Sequence, residues 1–267
     1  MAPGNDSFVT EFILLGLTDQ PDLQLPLLFL FLGMYIVTVL GNLGLVILIV
    51  LNSHLHTPMY FFLFNLSSID ICYSSVFTPK MLLNFISKKN IISYTGCMTQ
   101  LYFYCFFVIS ECYLLTSMAY DRYVAICKPL LYNVVMSPKV CSSLMLGFYL
   151  MAFSGAMVHT GYMLSLTFCD ANTINDYLYD TCPLLQLSCT STCILELEIV
   201  IVSGINIIVC SLTILFLMAS FSPISLTSSP QKAGLKPSAP AVPTSLLFLC
   251  SLDQVHLCTQ TIFYAHE

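Results

Sequence analysis

The chain has 267 residues, of which 57% are hydrophobic and only 8% are charged, and its mean hydropathy is +0.86. A soluble domain carries about a quarter charged residues, so this composition excludes a water-exposed globular protein and indicates an integral membrane protein. The net charge is −6, which argues against nucleic acid as a partner. The sequence shows no nucleophile–base pair and no metal-ligand spacing, so we expect neither an enzyme nor a cofactor.

Residues 1–25 are predicted to form a short polar tail. The first 20 residues contain no basic residue and no small-residue cleavage site, so the first apolar stretch is expected to act as an uncleaved signal anchor. Asn5-Asp6-Ser7 is an acceptor sequence for N-glycosylation, which predicts a glycan at Asn5 if the tail is extracellular. A second acceptor sequence, Asn65-Leu66-Ser67, lies inside an apolar stretch and is expected to stay unmodified.

Five apolar stretches are long enough to cross a bilayer, which takes about 20 helical residues. They are residues 26–51, 58–82, 97–120, 141–164 and 197–218. The sequence therefore predicts an all-α membrane protein whose helical bundle occupies residues 26–218.

Two of these stretches contain a carboxylate, Asp70 in the second and Glu111 in the third. An ionisable side chain inside a membrane is costly, so it marks a functional site by default. A structural acid that only makes hydrogen bonds is the alternative for each position.

Two strings of residues are specific enough to point to a family. The first is Leu55-His56-Thr57-Pro58-Met59-Tyr60-Phe61-Phe62-Leu63, in which proline occupies a first helical position, where it loses no hydrogen bond. The second is Met118-Ala119-Tyr120-Asp121-Arg122-Tyr123-Val124-Ala125-Ile126-Cys127-Lys128-Pro129-Leu130. Arginine is always charged and needs a partner or a water path, so we expect Arg122 to pair with Asp121 before Pro129 stops the helix.

Both strings resemble the odorant receptors among the rhodopsin-like G-protein-coupled receptors, at the first intracellular loop and at the end of the third helix. The resemblance implies a seven-transmembrane bundle in the plasma membrane, a small volatile odorant as ligand and a heterotrimeric G protein as partner. It implies that Asp121, Arg122 and Tyr123 form the G-protein switch, and that Asp70 and Glu111 hold a sodium ion, which prefers oxygen ligands.

The resemblance also implies which side chains face the odorant between the helices. They are Tyr104, Cys105, Val108 and Ile109 on the third helix and Val202, Ser203 and Asn206 on the fifth. Ordinary packing between helices is the alternative for each of them. A small transporter or channel is the alternative function, but it predicts paired halves with broken or charged helices, and the sequence shows no internal repeat.

Orientation rests on the resemblance, because charge does not decide it. The loop before the third span has three basic residues and the loop after it also has three, namely Lys80, Lys88 and Lys89 against Arg122, Lys128 and Lys139. The resemblance and the acceptor sequence at Asn5 favour an extracellular N-terminus.

The polar stretch from residue 165 to residue 198 resembles the second extracellular loop of the family. The family usually has a cysteine ten residues after Cys169, which bridges to Cys97, but this chain has Tyr179 there and a further Cys182. A disulfide tolerates little change in the distance between its Cα atoms. We therefore expect a bridge between Cys169 and Cys189, and a weak Cys97–Cys182 bridge or none.

Residues 219–267 depart from the pattern of a membrane protein. The stretch 220–243 contains five prolines, and such polar, proline-rich sequence is predicted to be disordered. When Gln231–Thr244 is read in a shifted frame, the codons permit T-E-G-R-S-K-A-F-S-T-C-S-S-H, which resembles the family's entry to the sixth helix. We therefore expect a loss of frame near Phe216, a chain without helices six and seven, no signalling, and retention in the endoplasmic reticulum.

Overall fold

The computed structural model describes residues 11–14, 21–86, 91–166 and 173–174. In these ranges the helices, in chain order, are α1 (Pro21–Leu51), α2 (Pro58–Ile86), α3 (Tyr94–Cys127), the short α4 (Tyr132–Val135) and α5 (Pro138–Leu164). Single 3₁₀ turns, Ser53–Leu55 and Pro129–Leu131, lie between α1 and α2 and between α3 and α4. The expected fifth span at 197–218 and the tail at 219–267 lie outside the described residues.

Four of these helices, α1, α2, α3 and α5, are long and apolar enough to cross a membrane. Their spanning segments contain between 26 and 34 residues, with mean hydropathies from 1.2 to 2.5. The predicted first four spans are therefore confirmed as helices. Three of them begin earlier than predicted, α1 at Pro21, α3 at Tyr94 and α5 at Pro138. In α1 and α5 the first residue is a proline, which is favourable there because its missing N–H needs no partner.

Helix α3 is longer than the predicted span 97–120 at both ends. At its start, the Ser93 Oγ accepts a hydrogen bond from the Gly96 backbone N–H at 3.2 Å and so caps the first turn. At its end, the helix continues to Cys127, two residues before Pro129. Asp121 and Arg122 therefore lie inside a continuous helix, because the stop signal is the proline and not the charged pair.

Helix α3 is the centre of the described bundle. It packs against α2 on one side and α5 on the other, while α1 packs on α2. In the most apolar segment of α3, 44% of the residues are buried, against 6% in α1. The core contains large side chains from all three inner helices, among them Phe62, Leu114, Met118, Val124 and Met145. The exposed apolar side chains of α1 are suited to a lipid environment.

A small sheet of three strands joins the N-terminal segment to one end of the bundle. Its strands are β1 (Glu11–Leu14), β2 (Ile91–Ser93) and β3 (Thr173–Ile174), in the order β2-β1-β3. Strand β1 is antiparallel to β2 and parallel to β3. The all-α prediction did not include these strands, because two to four residues are too few for an alternating pattern to show. The sheet brings together the segments next to the starts of α1 and α3 and the end of α5, at one end of the bundle.

Candidate functional site

The Asp121 carboxylate lies at the end of α3 that is far from the sheet, and it is held by a tyrosine. Asp121 is 1% exposed, and the hydroxyl of Tyr132 donates a hydrogen bond to its Oδ1 at 2.9 Å. The turn Pro129–Leu131 reverses the chain after α3 and brings Tyr132, the first residue of α4, back to the carboxylate. Burial raises the pKa of Tyr132 above its ordinary value of 10.0, and the nearby Asp121 charge raises it further. Tyr132 therefore keeps its proton and remains the donor.

The predicted pairing of Arg122 with Asp121 stays a prediction: the Arg122 charge lies close enough to act on the Asp121 carboxylate, but the hydrogen bond that the structure gives this carboxylate comes from Tyr132. The Asp121 carboxylate bonds Tyr132, while Nη2 of Arg122 is buried and has no hydrogen-bond partner in the described part of the chain. A buried donor without an acceptor costs about 1–3 kcal/mol, and more when it is charged. Tyr123, the third predicted residue of the switch, packs its ring against the core. The end of α3 thus presents one satisfied acid and one guanidinium nitrogen that lacks an acceptor.

Sequence reasoning missed Tyr132 as a functional residue. It lies eleven residues after Asp121, beyond the helix break, so no helical spacing connects the two positions. The signal that was available is Pro129, because a proline soon after a helix end predicts a reversal of the chain. The identity of the side chain that returns to the helix requires the geometry of that turn.

Asp70 is half-buried on α2 and contacts α1. The Asn42 side chain forms a hydrogen bond with the Asp70 carboxylate, which links the middles of the two helices. Glu111 is half-buried on α3. Carboxylate and amide oxygens suit a hard cation such as sodium. Among the described residues, no group of three His, Cys, Asp or Glu side chains is placed to hold a metal ion, so the sodium site stays a prediction.

The predicted odorant-facing residues of α3 point in different directions. The Tyr104 ring contacts two rings of α2, with centroids 6.3 Å from Tyr73 and 6.0 Å from Phe77. Ile109 instead faces α5, because a Cβ placed on Gly155 would lie 3.2 Å from the Ile109 Cδ1.

Cys105 and Val108 are half-buried, about 100° and 40° around the helix from Tyr104. Val202, Ser203 and Asn206 lie outside the described residues. The structure thus packs Tyr104 and Ile109 on opposite neighbours, and Cys105 and Val108 lie on the face of α3 between these two contacts.

Cys97 is a free thiol that is fully buried, at 0% exposure, near the start of α3. Its one predicted partner, Cys182, lies outside the described residues, as do Cys169, Cys189 and Asn5. The pairing of Cys169 with Cys189 therefore stays a prediction.

The asparagine of the second acceptor sequence, Asn65, makes two hydrogen bonds through its side-chain amide. Asn65 Nδ2 donates to the Phe61 carbonyl at 2.8 Å, and Asn65 Oδ1 accepts from the Tyr149 hydroxyl of α5 at 3.1 Å. The amide nitrogen is therefore used within α2 and the amide oxygen in a bond from α2 to α5.

A cavity of about 370 Å³ lies at the end of the bundle opposite the sheet. Side chains from the end of α1 and the starts of α2 and α5 line it, including Val50, Phe61 and Pro138. Of the predicted odorant-facing residues, the four that the structure describes, Tyr104, Cys105, Val108 and Ile109, do not line this cavity. It therefore adds nothing to the predicted ligand site.

Comparison with known proteins connects this geometry to a family. The model of the rhodopsin family of seven-transmembrane receptors matches residues 41–252. Human olfactory receptor 8B3 is 64% identical over 252 residues, which is 93% of this chain and 80% of that protein. The chain belongs to the olfactory receptor family. Mouse olfactory receptor 8B3 is 62% identical over the same shares. Human olfactory receptor 8B4 is 67% identical over 210 residues, 79% of this chain and 68% of that protein.

Family membership confirms the resemblance that the two sequence strings indicated, and with it the class of multi-pass membrane receptors. It also disfavours the transporter or channel alternative. The family match extends to residue 252, beyond position 216, where the sequence analysis places a loss of frame. That the chain belongs to the olfactory receptor family therefore does not depend on whether the reading frame is lost there.

Proposed function

We propose that this olfactory receptor chain binds a small volatile odorant between its membrane helices and passes the resulting change in packing to a heterotrimeric G protein. The proposal places the receptor in the plasma membrane with its N-terminal tail outside and gives it no enzymatic activity. The observation that carries it is the arrangement at the inner end of α3, where Tyr132 holds Asp121 and Arg122 Nη2 has no acceptor.

This arrangement suits a switch with two states. In the described state the Tyr132 hydroxyl fixes the Asp121 carboxylate and ties α4 to α3. A guanidinium nitrogen without an acceptor gains free energy when a partner supplies a carbonyl or carboxylate oxygen. A G protein that inserts such oxygens at this end would stabilise the state that exposes Arg122. A ligand shifts the equilibrium only if it binds the two states with different affinities.

Helix α3 connects the two proposed sites. Tyr104 and Asp121 are separated by 17 residues, which is about 26 Å along a helix. Both positions lie on one continuous element that is largely buried between α2 and α5. A small displacement of α3 by a ligand near Tyr104 therefore reaches Asp121 without a flexible joint between them. Coupling of this kind requires packed, rigid elements with two arrangements.

We also propose that the chain as written does not signal. The proline-rich composition of residues 220–243 and the shifted-frame match both support a loss of frame near Phe216. In the frame as written, no apolar stretch between that point and residue 267 reaches the about 20 residues that a membrane helix needs. Helices without their partners expose polar groups to lipid, which costs several kcal/mol for each unsatisfied group, and such a chain is expected to be retained in the endoplasmic reticulum.

The test compares two forms of the chain in a cell-based G-protein reporter assay with a broad odorant panel. The 267-residue chain is expected to stay at baseline, whereas the chain with the codons after Leu215 moved into the alternative frame is expected to reach the surface and respond. Full rescue of the restored chain is expected to need Tyr179→Cys, which supplies the usual bridge to Cys97. An odorant response from the unaltered chain would disprove the loss of signalling, and no response from the restored Tyr179→Cys chain would disprove the receptor function.

A further inference from the structure

One half-buried polar side chain between α2 and α3 takes no part in the proposed switch. Gln100 lies six residues after the start of α3, and its Nε2 donates a hydrogen bond to the backbone carbonyl of Val76 in α2 at 3.1 Å. Val76 lies in the turn before Pro79, a proline inside α2 that supplies no N–H to the carbonyl of Ser75. Gln100 thus fastens α3 to α2 at the turn where the α2 backbone is short of donors.

The other half of the same amide is left without a partner. Gln100 Oε1 is buried, and the described part of the chain provides it with no hydrogen bond. An amide oxygen accepts up to two hydrogen bonds, and a buried acceptor in a folded protein is nearly always paired. The bond from Nε2 to Val76 fixes the orientation of the amide. The oxygen therefore cannot turn toward another donor without losing that bond.

Three aromatic rings lie one helical turn from this oxygen. Tyr104 follows Gln100 by four residues on the same face of α3, and Tyr73 and Phe77 flank Val76 in the α2 sequence. The ring centroids of Tyr73 and Phe77 are 5.0 Å apart, and each lies 6.0–6.3 Å from that of Tyr104. The seam between α2 and α3 thus combines a neutral acceptor with aromatic surface, at the end of the bundle near the sheet.

We infer that this seam is a ligand subsite for a small molecule with a hydroxyl group, which donates to Gln100 Oε1 while its apolar body lies against Tyr73, Phe77 and Tyr104. The inference rests on the proposed function, because it names the chemical class of the odorant. A site built around a buried acceptor discriminates strongly against analogues that lack the donor. Ethers and ketones of the same shape leave the oxygen unpaired and bind more weakly.

The test uses the full 267-residue chain in lipid nanodiscs and three probes of similar shape: benzyl alcohol, benzyl methyl ether and toluene. Saturation-transfer NMR gives their affinities. The unaltered chain is expected to bind benzyl alcohol about five-fold more tightly than the ether, which is the effect of one net hydrogen bond. Equal affinities for the alcohol and the ether, or no binding of any probe, would overturn the inference and would leave an ordered water as the partner of Gln100.

Three variants separate the acceptor from the helix contact. Gln100→Met removes both hydrogen bonds and is expected to bind the alcohol and the ether with affinities within about two-fold of each other. Gln100→Glu, whose protonated carboxyl keeps one donor and one acceptor, is expected to retain the preference. The control Thr99→Val alters the neighbouring exposed residue and is expected to leave the preference unchanged. If Gln100→Met does not fold, the ligand series on the unaltered chain still decides.

The outcomes for this subsite and for the receptor function are distinguishable. One outcome is an alcohol preference that depends on Gln100 in a chain whose restored-frame form never activates a G protein. This outcome would support the subsite and disprove the receptor function. A G-protein response without any alcohol preference would support the receptor function and disprove the subsite. A preference that persists in Gln100→Met would show that another group receives the hydroxyl, and this would refute the assignment of Gln100.

Discussion

Removing the hydroxyl of Tyr132 tests the arrangement at the end of α3 most directly. Tyr132→Phe deletes the hydroxyl that donates to the Asp121 Oδ1 at 2.9 Å. Asp121 is 1% exposed, so its Oδ1 is left buried without this partner. Hydrogen bonds to charged groups contribute about 1.5–3 kcal/mol, and a buried acceptor left unpaired costs a similar amount. If only the resting state makes this bond, the equilibrium moves toward the active state by about 10- to 150-fold.

The assay is basal nucleotide exchange on a G protein, measured with the restored-frame chain without odorant. Tyr132→Phe is expected to raise the basal rate, because the resting state loses the bond and the active state does not. The matched control is Tyr120→Phe, since Tyr120 lies on the same stretch of α3 and is 42% exposed. Basal exchange and thermal stability that are the same in Tyr132→Phe, Tyr120→Phe and the parent chain would refute the proposed role of this bond.

The same tyrosine predicts a pH dependence of stability. The pKa of Tyr132 in the folded chain is raised above its ordinary value of 10.0, chiefly by burial and then by Asp121. A raised pKa means that the folded state holds the proton more tightly, so this stabilisation is fully present below pH 10.0 and is lost as the pH rises toward the folded value. The thermal midpoint is expected to fall above that pH, and less steeply in Tyr132→Phe. An identical decline in both chains would contradict this.

Three other predictions concern packing, a buried hydrogen bond and orientation. Gly155→Leu is expected to lower stability by about 1–3 kcal/mol through overpacking, while Gly147→Ala, where a Cβ meets nothing within 4 Å, is expected to be neutral or slightly stabilising in thermal unfolding. Asn65→Ala and Tyr149→Phe are each expected to lower the free energy of unfolding by about 1 kcal/mol. The double variant is expected to lose less than the sum of the two, because both changes remove the same hydrogen bond. Additive losses would disprove the bond. Glycosidase treatment is expected to increase the gel mobility of the parent chain but not of Asn5→Gln, and no change in the parent would reverse the assumed orientation.

The sequence by itself determined the class of the protein and the location of its first four spans. Hydropathy is a sum over neighbouring residues, so an apolar run such as 58–82 predicts a membrane helix without knowledge of the rest of the fold. The family followed from two contiguous strings of residues. The predicted helix ends were less accurate than the predicted spans. Helix α3 extends beyond its most apolar segment, because Ser93 caps its start and Pro129 follows its end.

Only the tertiary structure decided which side chains meet. The hydroxyl that bonds Asp121 comes from Tyr132, eleven residues later in the chain, and Gln100 reaches a carbonyl 24 residues earlier. The predicted ligand residues Tyr104 and Ile109 belong to one stretch of sequence, but they contact different helices. A hydrogen bond requires two atoms within about 3 Å and suitably oriented, and for residues far apart in sequence that separation depends on how the helices turn and pack, which local composition does not encode.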